Sequence, residues 1–349
     1  MIANNKPSIL CTAETGELIR TLDDFARIEF KGWAEEQRIL TEEELCSLMQ
    51  AYQPDILITS YDPVTRRAID SSKNLKLVIC TRANPVNVDT GYLKEKGIPL
   101  SYSPERNSDC TAEYTVAMML SIMRRIPMAY HDLKKGLHTV EEARDNEIRE
   151  GLKRDVTWAL GKDTPYIQYK GYQMKGRTLG IVGYGSIGRR VASICRGFGM
   201  KIIAFDPYLD KTAFEDVYFT DTLLELANKA DVVSVHSKDS PSTYHIIDKD
   251  FLENMKTGSF FINTSRGALV DEAALVEALR EGRIMGAALD VFETEPIRRD
   301  HPFLGELENC VVTPHLAGAT YDAIDNHTEQ LVRDVLHFIK GEELEFEYK

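Results

Sequence analysis

Thr178-Leu-Gly-Ile-Val-Gly-Tyr-Gly-Ser-Ile-Gly-Arg-Arg190 decides the fold of this 349-residue chain. Leu179, Ile181 and Val182 are residues of strand type, and Gly183, Gly185 and Gly188 supply a turn. Ile187, Val191, Ile194, Cys195 and Phe198 then recur at helical spacing. Strand, glycine turn and helix is the order a pyrophosphate site needs. Gly183 permits the tight turn, Gly185 lets the backbone approach the phosphates, and Gly188 lets helix and strand pack closely. The helix N-terminus faces the anion with free N–H groups. The next apolar run, Lys201-Ile-Ile-Ala-Phe-Asp206, ends in an acid about 20 residues on, where a dinucleotide site holds a ribose.

Outward from this stretch the pattern stays regular. Strands are expected at 179–182, 201–206, 231–236, 259–264, 285–291 and 310–313, with helices between most of them and Asp271 capping one over 272–281. Six strands with crossover helices make a doubly wound parallel sheet, which binds ligands at its carboxyl edge. The first hundred residues also alternate, with strands expected at 8–12, 27–31, 56–59, 75–80 and 98–102. Thr41-Glu-Glu-Glu44 reads as a capping box, and Asp89 as the cap of a short helix ending at Gly97. That part is a second α/β domain without a glycine fingerprint of its own. A long helix is expected from Ser108 to about Lys135, with Val116, Met119, Leu120 and Met123 on one face. The polar segment 138–173 is either a solvated helix and loop or an arm that contacts a partner subunit. Ala319 to Lys340 reads as one helix.

Composition narrows the function. A net charge of −13 argues against a general nucleic-acid surface. The run Val116 to Met123 is too short to span a bilayer, and the N-terminus lacks a signal-peptide apolar region. Six scattered cysteines with no CxxC pair read as reduced residues of a cytoplasmic protein. The eight histidines include no close ligand pair, so no metal site is expected. His236, at a strand end, reads as a cleft-lining residue.

Three residues fall just past strand carboxyl ends. Arg266 follows strand 259–264, Glu295 follows 285–291 and His315 follows 310–313. A hydride passed from a nicotinamide to a carbonyl creates an alkoxide that must be protonated. Histidines titrate near neutrality and suit that task. A carboxylate beside the ring favours the imidazolium and fixes its orientation. An arginine holds a substrate carboxylate through two parallel hydrogen bonds and polarises the carbonyl.

With these residues in hand, the chain resembles the D-isomer-specific 2-hydroxyacid dehydrogenases over nearly its whole length. Gly183-Tyr-Gly-Ser-Ile-Gly188, Asn263-Thr-Ser-Arg-Gly267, Asp290-Val-Phe-Glu-Thr-Glu-Pro296 and Thr313-Pro-His315 carry the likeness. The resemblance implies two α/β domains, a Rossmann-type doubly wound sheet for NAD and a smaller flavodoxin-like substrate domain. Residues 1–108 would form the first part of the substrate-binding domain and 109–318 the NAD-binding domain. Residues 319–349 would form a C-terminal helix returning to the substrate domain. It also implies transfer of a hydride between NAD and C2 of a small 2-hydroxy or 2-keto acid. Arg266 would bind the substrate carboxylate, His315 would act as acid and base, and Glu295 would be its partner. Ser186 and Ile187 match the pyrophosphate turn with Gly183, Gly185 and Gly188. Asp206 matches the adenosine-ribose ligand, Asp290 the residue that meets the nicotinamide carboxamide, and Thr264 and Gly318 lie on the nicotinamide side.

The family's substrate loop corresponds to Thr81-Arg-Ala-Asn-Pro-Val-Asn-Val-Asp89. Arg82, Ala83 and Asn84 are its contacts, although many relatives carry glycines there. Arg82 and Arg106 could meet a phosphate or second carboxylate, or be solvated loop residues. At Asp206 a 2′-phosphate would cost about 4 kcal/mol for unit charges ~4 Å apart at intermediate dielectric, so NAD is expected over NADP. A homodimer through the NAD domains is implied as well. Corepressors of the C-terminal-binding-protein type resemble the same family. An NAD(H)-sensing binding protein is therefore the alternative.

Overall fold

The structure, a computed structural model, describes residues 6–139 and 164–349. It divides into two compact units, Met1–Cys110 with Ala319–Lys349, and Thr111–Gly318.

The first unit is built on five parallel strands, β1 (Ser8–Cys11), β2 (Arg27–Phe30), β3 (Ile56–Thr59), β4 (Leu77–Cys80) and β5 (Leu100–Tyr102), in the order β2-β1-β3-β4-β5. The helices α1 (Trp33–Glu36), α2 (Glu42–Tyr52), α3 (Arg66–Asp70) and α4 (Thr90–Lys96) fall between them. The reciprocal bonds of the Thr41 capping box are present at α2, and Asp89 caps α4, which ends on a left-handed Gly97. β3 and β4 are buried at every residue, so both faces of this sheet are covered.

The second unit holds α5 (Ser108–Met123, all but its first turn), α6 (Ile126–Lys134) and α7 (Pro165–Gln168). The single helix expected over 108–135 is therefore two. Pro127 has no N–H to offer the Met123 carbonyl, which accepts instead from the Tyr172 N–H at 2.9 Å, and Arg125 turns left-handed at φ 55°. Of the polar segment 138–173, residues 140–163 lie outside the described residues.

Then follow β6 (Thr178–Val182), α8 (Ser186–Gly197), β7 (Lys201–Phe205), β8 (Tyr218–Phe219), α9 (Leu223–Lys229), β9 (Val232–Val235), α10 (Lys249–Asn254), β10 (Ser259–Asn263), α11 (Glu272–Arg280), β11 (Ile284–Leu289) and β12 (Cys310–Val312). All pair in parallel, in the order β12-β11-β10-β9-β6-β7-β8. The sheet thus has seven strands, one more than the six expected, because the two-residue edge strand β8 is too short to show a periodicity. The alternating pleat sends Val182, Val233, Val235 and Phe261 into one core layer, and Ile181, Val232, Phe260 and Ile262 into the other. Strand order reverses between β6 and β9, the switch point where such sheets open a crevice at their carboxyl edge.

The chain returns to the first unit through α12 (Tyr321–Lys340), capped by Thr320. Leu331, Val332 and Val335 pack with Ile9, Cys11, Ile56 and Ile58 of its sheet. Beyond α12 the tail lies antiparallel along the edge of β5: the Tyr102 N–H donates to the Phe346 carbonyl and the Tyr348 N–H to the Leu100 carbonyl. The fully buried Asp334 pins it, accepting from the Ser101 hydroxyl at 2.5 Å and the Glu345 N–H at 2.7 Å.

One buried histidine on α12 gives this unit an acid sensitivity. His327 is 3 % exposed. Its Nε2 lies 2.8 Å from the Glu14 carbonyl, and its Nδ1 lies 3.4 Å from the Arg106 guanidinium. Burial, with Arg106 adding to it, holds the imidazole down at about 4, against 6.5 unperturbed. Between those two values the unfolded chain binds a proton that the folded chain refuses, so stability falls as pH falls through that window. The wild type is expected to lose on the order of 3 kcal/mol more than His327→Gln between pH 6.5 and 4. Denaturant titrations of both proteins at each pH measure the difference.

Candidate active site

The glycine turn is shaped as the pyrophosphate reading requires. Gly183 sits at φ 90°, and a Cβ there would lie 2.8 Å from the backbone of both His236 and Ser237. That is the carboxyl end of β9, across the switch point. A Cβ on Gly188 would lie 2.4 Å from the Gly183 carbonyl, so this glycine seats α8 against the turn. Gly185 is different: nothing lies within 4 Å of where its Cβ would be. It is the N-cap of α8 and brings no side-chain cap, so a ligand can approach the N–H groups of the first turn, Ser186 and Ile187 among them. The Ser186 hydroxyl lies 2.5 Å from the Arg190 guanidinium.

Asp206 stands one residue past β7, where its carboxylate accepts from the Tyr184 N–H and the Tyr208 N–H, both at 3.0 Å. A carboxylate has about four lone-pair positions, so two remain for the hydroxyls of a ribose. Glycine turn, helix N-terminus and ribose acid together fit an adenine dinucleotide. His236 is half-buried; its Nε2 lies 2.9 Å from the Ser234 hydroxyl, and burial pushes its pKa down. It lines the switch point with a neutral ring.

Arg266, Glu295 and His315 follow β10, β11 and β12, three strands adjacent in the sheet. His315 Nδ1 lies 2.7 Å from Glu295 Oε2, and both side chains are partly exposed. Among the described residues Nε2 has no hydrogen-bond partner. The Glu295 carboxylate is itself steadied by the Phe292 N–H, at 3.1 Å to Oε1. His315 adopts φ 58°, a left-handed conformation held by its N–H, 2.8 Å from the Asp290 carbonyl.

Asp290 organises this turn. Its fully buried carboxylate accepts from the Thr313 hydroxyl at 2.6 Å and from the Leu316 and Ala317 N–H groups at 2.8 Å each. Gly318, half-buried, ends the same turn. Arg266 is exposed, with Nη1 donating to the Ser265 carbonyl at 2.6 Å. A Cβ on Gly267 would fall 1.8 Å from the Phe292 carbonyl carbon, so the Arg266 loop lies directly on the loop that carries Glu295. Thr264 is 6 % exposed and bonds the Thr115 hydroxyl at 2.6 Å.

In the first unit Arg82, Ala83 and Asn84 follow the carboxyl end of β4. The Arg82 guanidinium lies over the Tyr61 ring, 4.7 Å from its centroid, and Ala83 and Asn84 are exposed. Arg106 is half-buried against His327.

A set of glutamates and histidines around the Glu295 loop was not visible in the sequence. The Glu293 N–H donates to Glu272 at 2.7 Å and the Glu272 N–H to Glu293 at 3.3 Å. His245 Nε2 lies 2.7 Å from Glu293, and His301 Nε2 lies 3.3 Å from Glu272. Burial raises the pKa of Glu272. These contacts tie the start of α11 to the loop after β11. The two acids are 21 residues apart, a separation with no local signature.

Residues 116–317 match the family described as D-isomer specific 2-hydroxyacid dehydrogenase, NAD binding domain. The chain belongs to this family, and it is an NAD-dependent D-2-hydroxyacid dehydrogenase by class. It is 33 % identical over 344 residues to a glyoxylate reductase of Thermococcus litoralis, covering 97 % of this chain and 95 % of the relative. It is 35 % identical over 306 residues to a D-3-phosphoglycerate dehydrogenase of Methanocaldococcus jannaschii, covering 87 % of this chain and 53 % of the relative, so it spans about half that protein's length. Among solved structures, the TT0316 protein of Thermus thermophilus superposes with a TM-score of 0.77 at 29 % identity, covering 98 % of this chain and all of that one.

Proposed function

We propose that this protein reduces a small 2-keto acid to the D-2-hydroxy acid, and oxidises it in reverse, with Arg266, Glu295 and His315 as its catalytic residues. The observation that carries the reading is the 2.7 Å contact between His315 Nδ1 and Glu295 Oε2 at the carboxyl edge of the sheet. It commits one ring nitrogen to the carboxylate and leaves Nε2 for a substrate oxygen. The turn 183–188 and Asp206 would hold NADH, which when bound would supply the hydride for the substrate carbonyl carbon. His315 delivers a proton from Nε2 to the carbonyl oxygen, and Glu295 stabilises the imidazolium and fixes the ring. In the reverse direction Nε2 removes the hydroxyl proton. Arg266 binds the substrate carboxylate and draws electron density from the adjacent carbonyl.

Asp290 keeps the His315 turn in place and has one acceptor position left for the nicotinamide carboxamide, with Thr264 and Gly318 on the same side. Arg82, Ala83 and Asn84 are assigned to substrate contact, Arg82 with its cation already fixed over Tyr61. Asp206 favours NADH over NADPH through repulsion of a 2′-phosphate. Six free cysteines, four of them buried, suit a reducing cytoplasm. No helix among the described residues is long and apolar enough to cross a membrane.

The test is a panel of 2-keto acids, phosphorylated and not, with NADH and NADPH, read by absorbance. Turnover of one of them with NADH preferred supports the reading. No turnover, with NADH-dependent capture of a protein partner, would favour a sensor instead.

The oligomeric assignment is a homodimer through the second unit. Ile126, Tyr130, Leu133 and Leu137 lie at helical spacing along and just past α6, and all are exposed, Tyr130 at 66 %. A contiguous apolar stripe of this kind marks an association surface. Tyr130→Glu is expected to shift the sedimenting species from dimer to monomer; an unchanged dimer would remove α6 from the interface.

A further inference from the structure

The strand β10 ends in a side chain whose two hydrogen bonds both go to the Arg266 turn. Asn263 is 1 % exposed. Its Oδ1 accepts from the Ser265 N–H at 3.0 Å, and its Nδ2 donates to the Arg266 carbonyl at 2.9 Å. One bond needs an acceptor and the other a donor, so only an amide satisfies both, and the two bonds fix which way it faces. The rest of the turn is held from outside. The Ser265 hydroxyl donates to the Ser237 carbonyl at 2.7 Å, and Gly267 rests on the backbone of Phe292. Asn263 holds it from within, next to the residue whose guanidinium must meet a carboxylate at defined geometry.

We propose that Asn263 is a positioning residue for Arg266: its amide sets the backbone of Ser265 and Arg266, and through them the placement of the guanidinium that receives the substrate carboxylate. This rests on the assignment of Arg266 made above. The effect is therefore on keto-acid binding and carbonyl polarisation more than on the coenzyme, whose pyrophosphate and adenosine-ribose contacts are assigned to β6, α8 and the end of β7, and of whose assigned nicotinamide-side residues only Thr264 adjoins this turn. Asn263→Asp is nearly isosteric. It keeps the acceptor for Ser265 but sets a second acceptor against the Arg266 carbonyl, so the turn must shift.

Four measurements test the proposal: steady-state kinetics, NADH binding by fluorescence, hydrogen–deuterium exchange over 264–267, and the unfolding midpoint. For Asn263→Asp and Asn263→Ala, kcat/KM for the keto acid is expected to fall about 100-fold, mainly through KM. NADH affinity is expected to stay at the wild-type value, with faster exchange at 264–267. In an Arg266→Ala background, Asn263→Asp is expected to add little, because both changes act through one group. Wild-type KM in both variants would overturn the proposal, as would equal losses of NADH and keto-acid binding, or full additivity with Arg266→Ala. If Asn263→Ala fails to fold, Asn263→Asp carries the test. Should the wild type turn over no keto acid, the assigned activity fails, and exchange at 264–267 still decides: unchanged exchange in the variants refutes the hold of Asn263 on the turn.

Discussion

Replacing His315 with alanine is expected to lower kcat for keto-acid reduction by about 1,000-fold, the contribution of a well-placed general acid. NADH affinity should not change, because the glycine turn and Asp206 are untouched. The imidazole is partly exposed and sits at the tip of a turn that Asp290 holds through backbone N–H groups and Thr313. The fold should therefore tolerate its loss, and the kinetic change can be read as chemistry. Glu295→Gln should cost less. Its Oε1 can still accept from the Phe292 N–H, whereas the negative charge facing Nδ1 is gone. Single-turnover measurements with NADH separate the chemical step from binding. A variant at His315 that turns over as fast as the wild type would remove this residue from the mechanism.

Gly267→Ala is the second large effect. A methyl group there would meet the Phe292 carbonyl carbon at 1.8 Å and the Glu293 nitrogen at 2.4 Å, and these atoms are backbone. No rotamer change relieves the contact, so the loop after β10 and the loop after β11 must separate. The first carries Arg266 and the second Glu295. A displacement of about 1 Å between catalytic groups costs on the order of 100-fold. Overpacking of this kind also costs about 1–3 kcal/mol in stability. The expected result is a folded protein with lower unfolding midpoint, intact NADH binding and kcat/KM reduced by about 100-fold or more. Kinetics at the wild-type level would show that the two loops do not act together.

Much of this was readable in the residues themselves, for physical reasons that differ by position. The strands β3, β4, β6 and β10 are runs of apolar residues bounded by turn formers, so pattern and fold coincide. Thr41, Asp89 and Asp271 announce helix starts because a short polar side chain before an apolar helix has few other uses. The turn 183–188 is legible because each glycine answers a separate steric demand. The break at Arg125 has a single cue in the sequence, Pro127, and the apolar spacing of Val116, Met119, Leu120 and Met123 gives no sign of it. β8 was missed because two residues carry no period.

At the site, the strand-end positions of Arg266, Glu295 and His315 were visible, and the structure places Glu295 against His315. What sequence could not supply were the ties between loops. Gly267 reads as one more glycine until the backbone of Phe292 lies on it. Asp290 reads as an acid at a strand end until its carboxylate is found gathering the 313–317 turn.

The first unit draws on residues that precede and follow the second, with α12 laid over β1 and β3 and the tail paired to β5. During synthesis, residues 111–318 can close their sheet before α12 is made, while β1–β5 already have the layer formed by residues 10–100. Until Leu331, Val332 and Val335 emerge, the layer that holds Ile9, Cys11, Ile56 and Ile58 has Ile19, Leu22 and Ala26 but lacks its helix. The apolar face short of its helix in the interval is the surface through which an unfinished chain would aggregate or engage a chaperone.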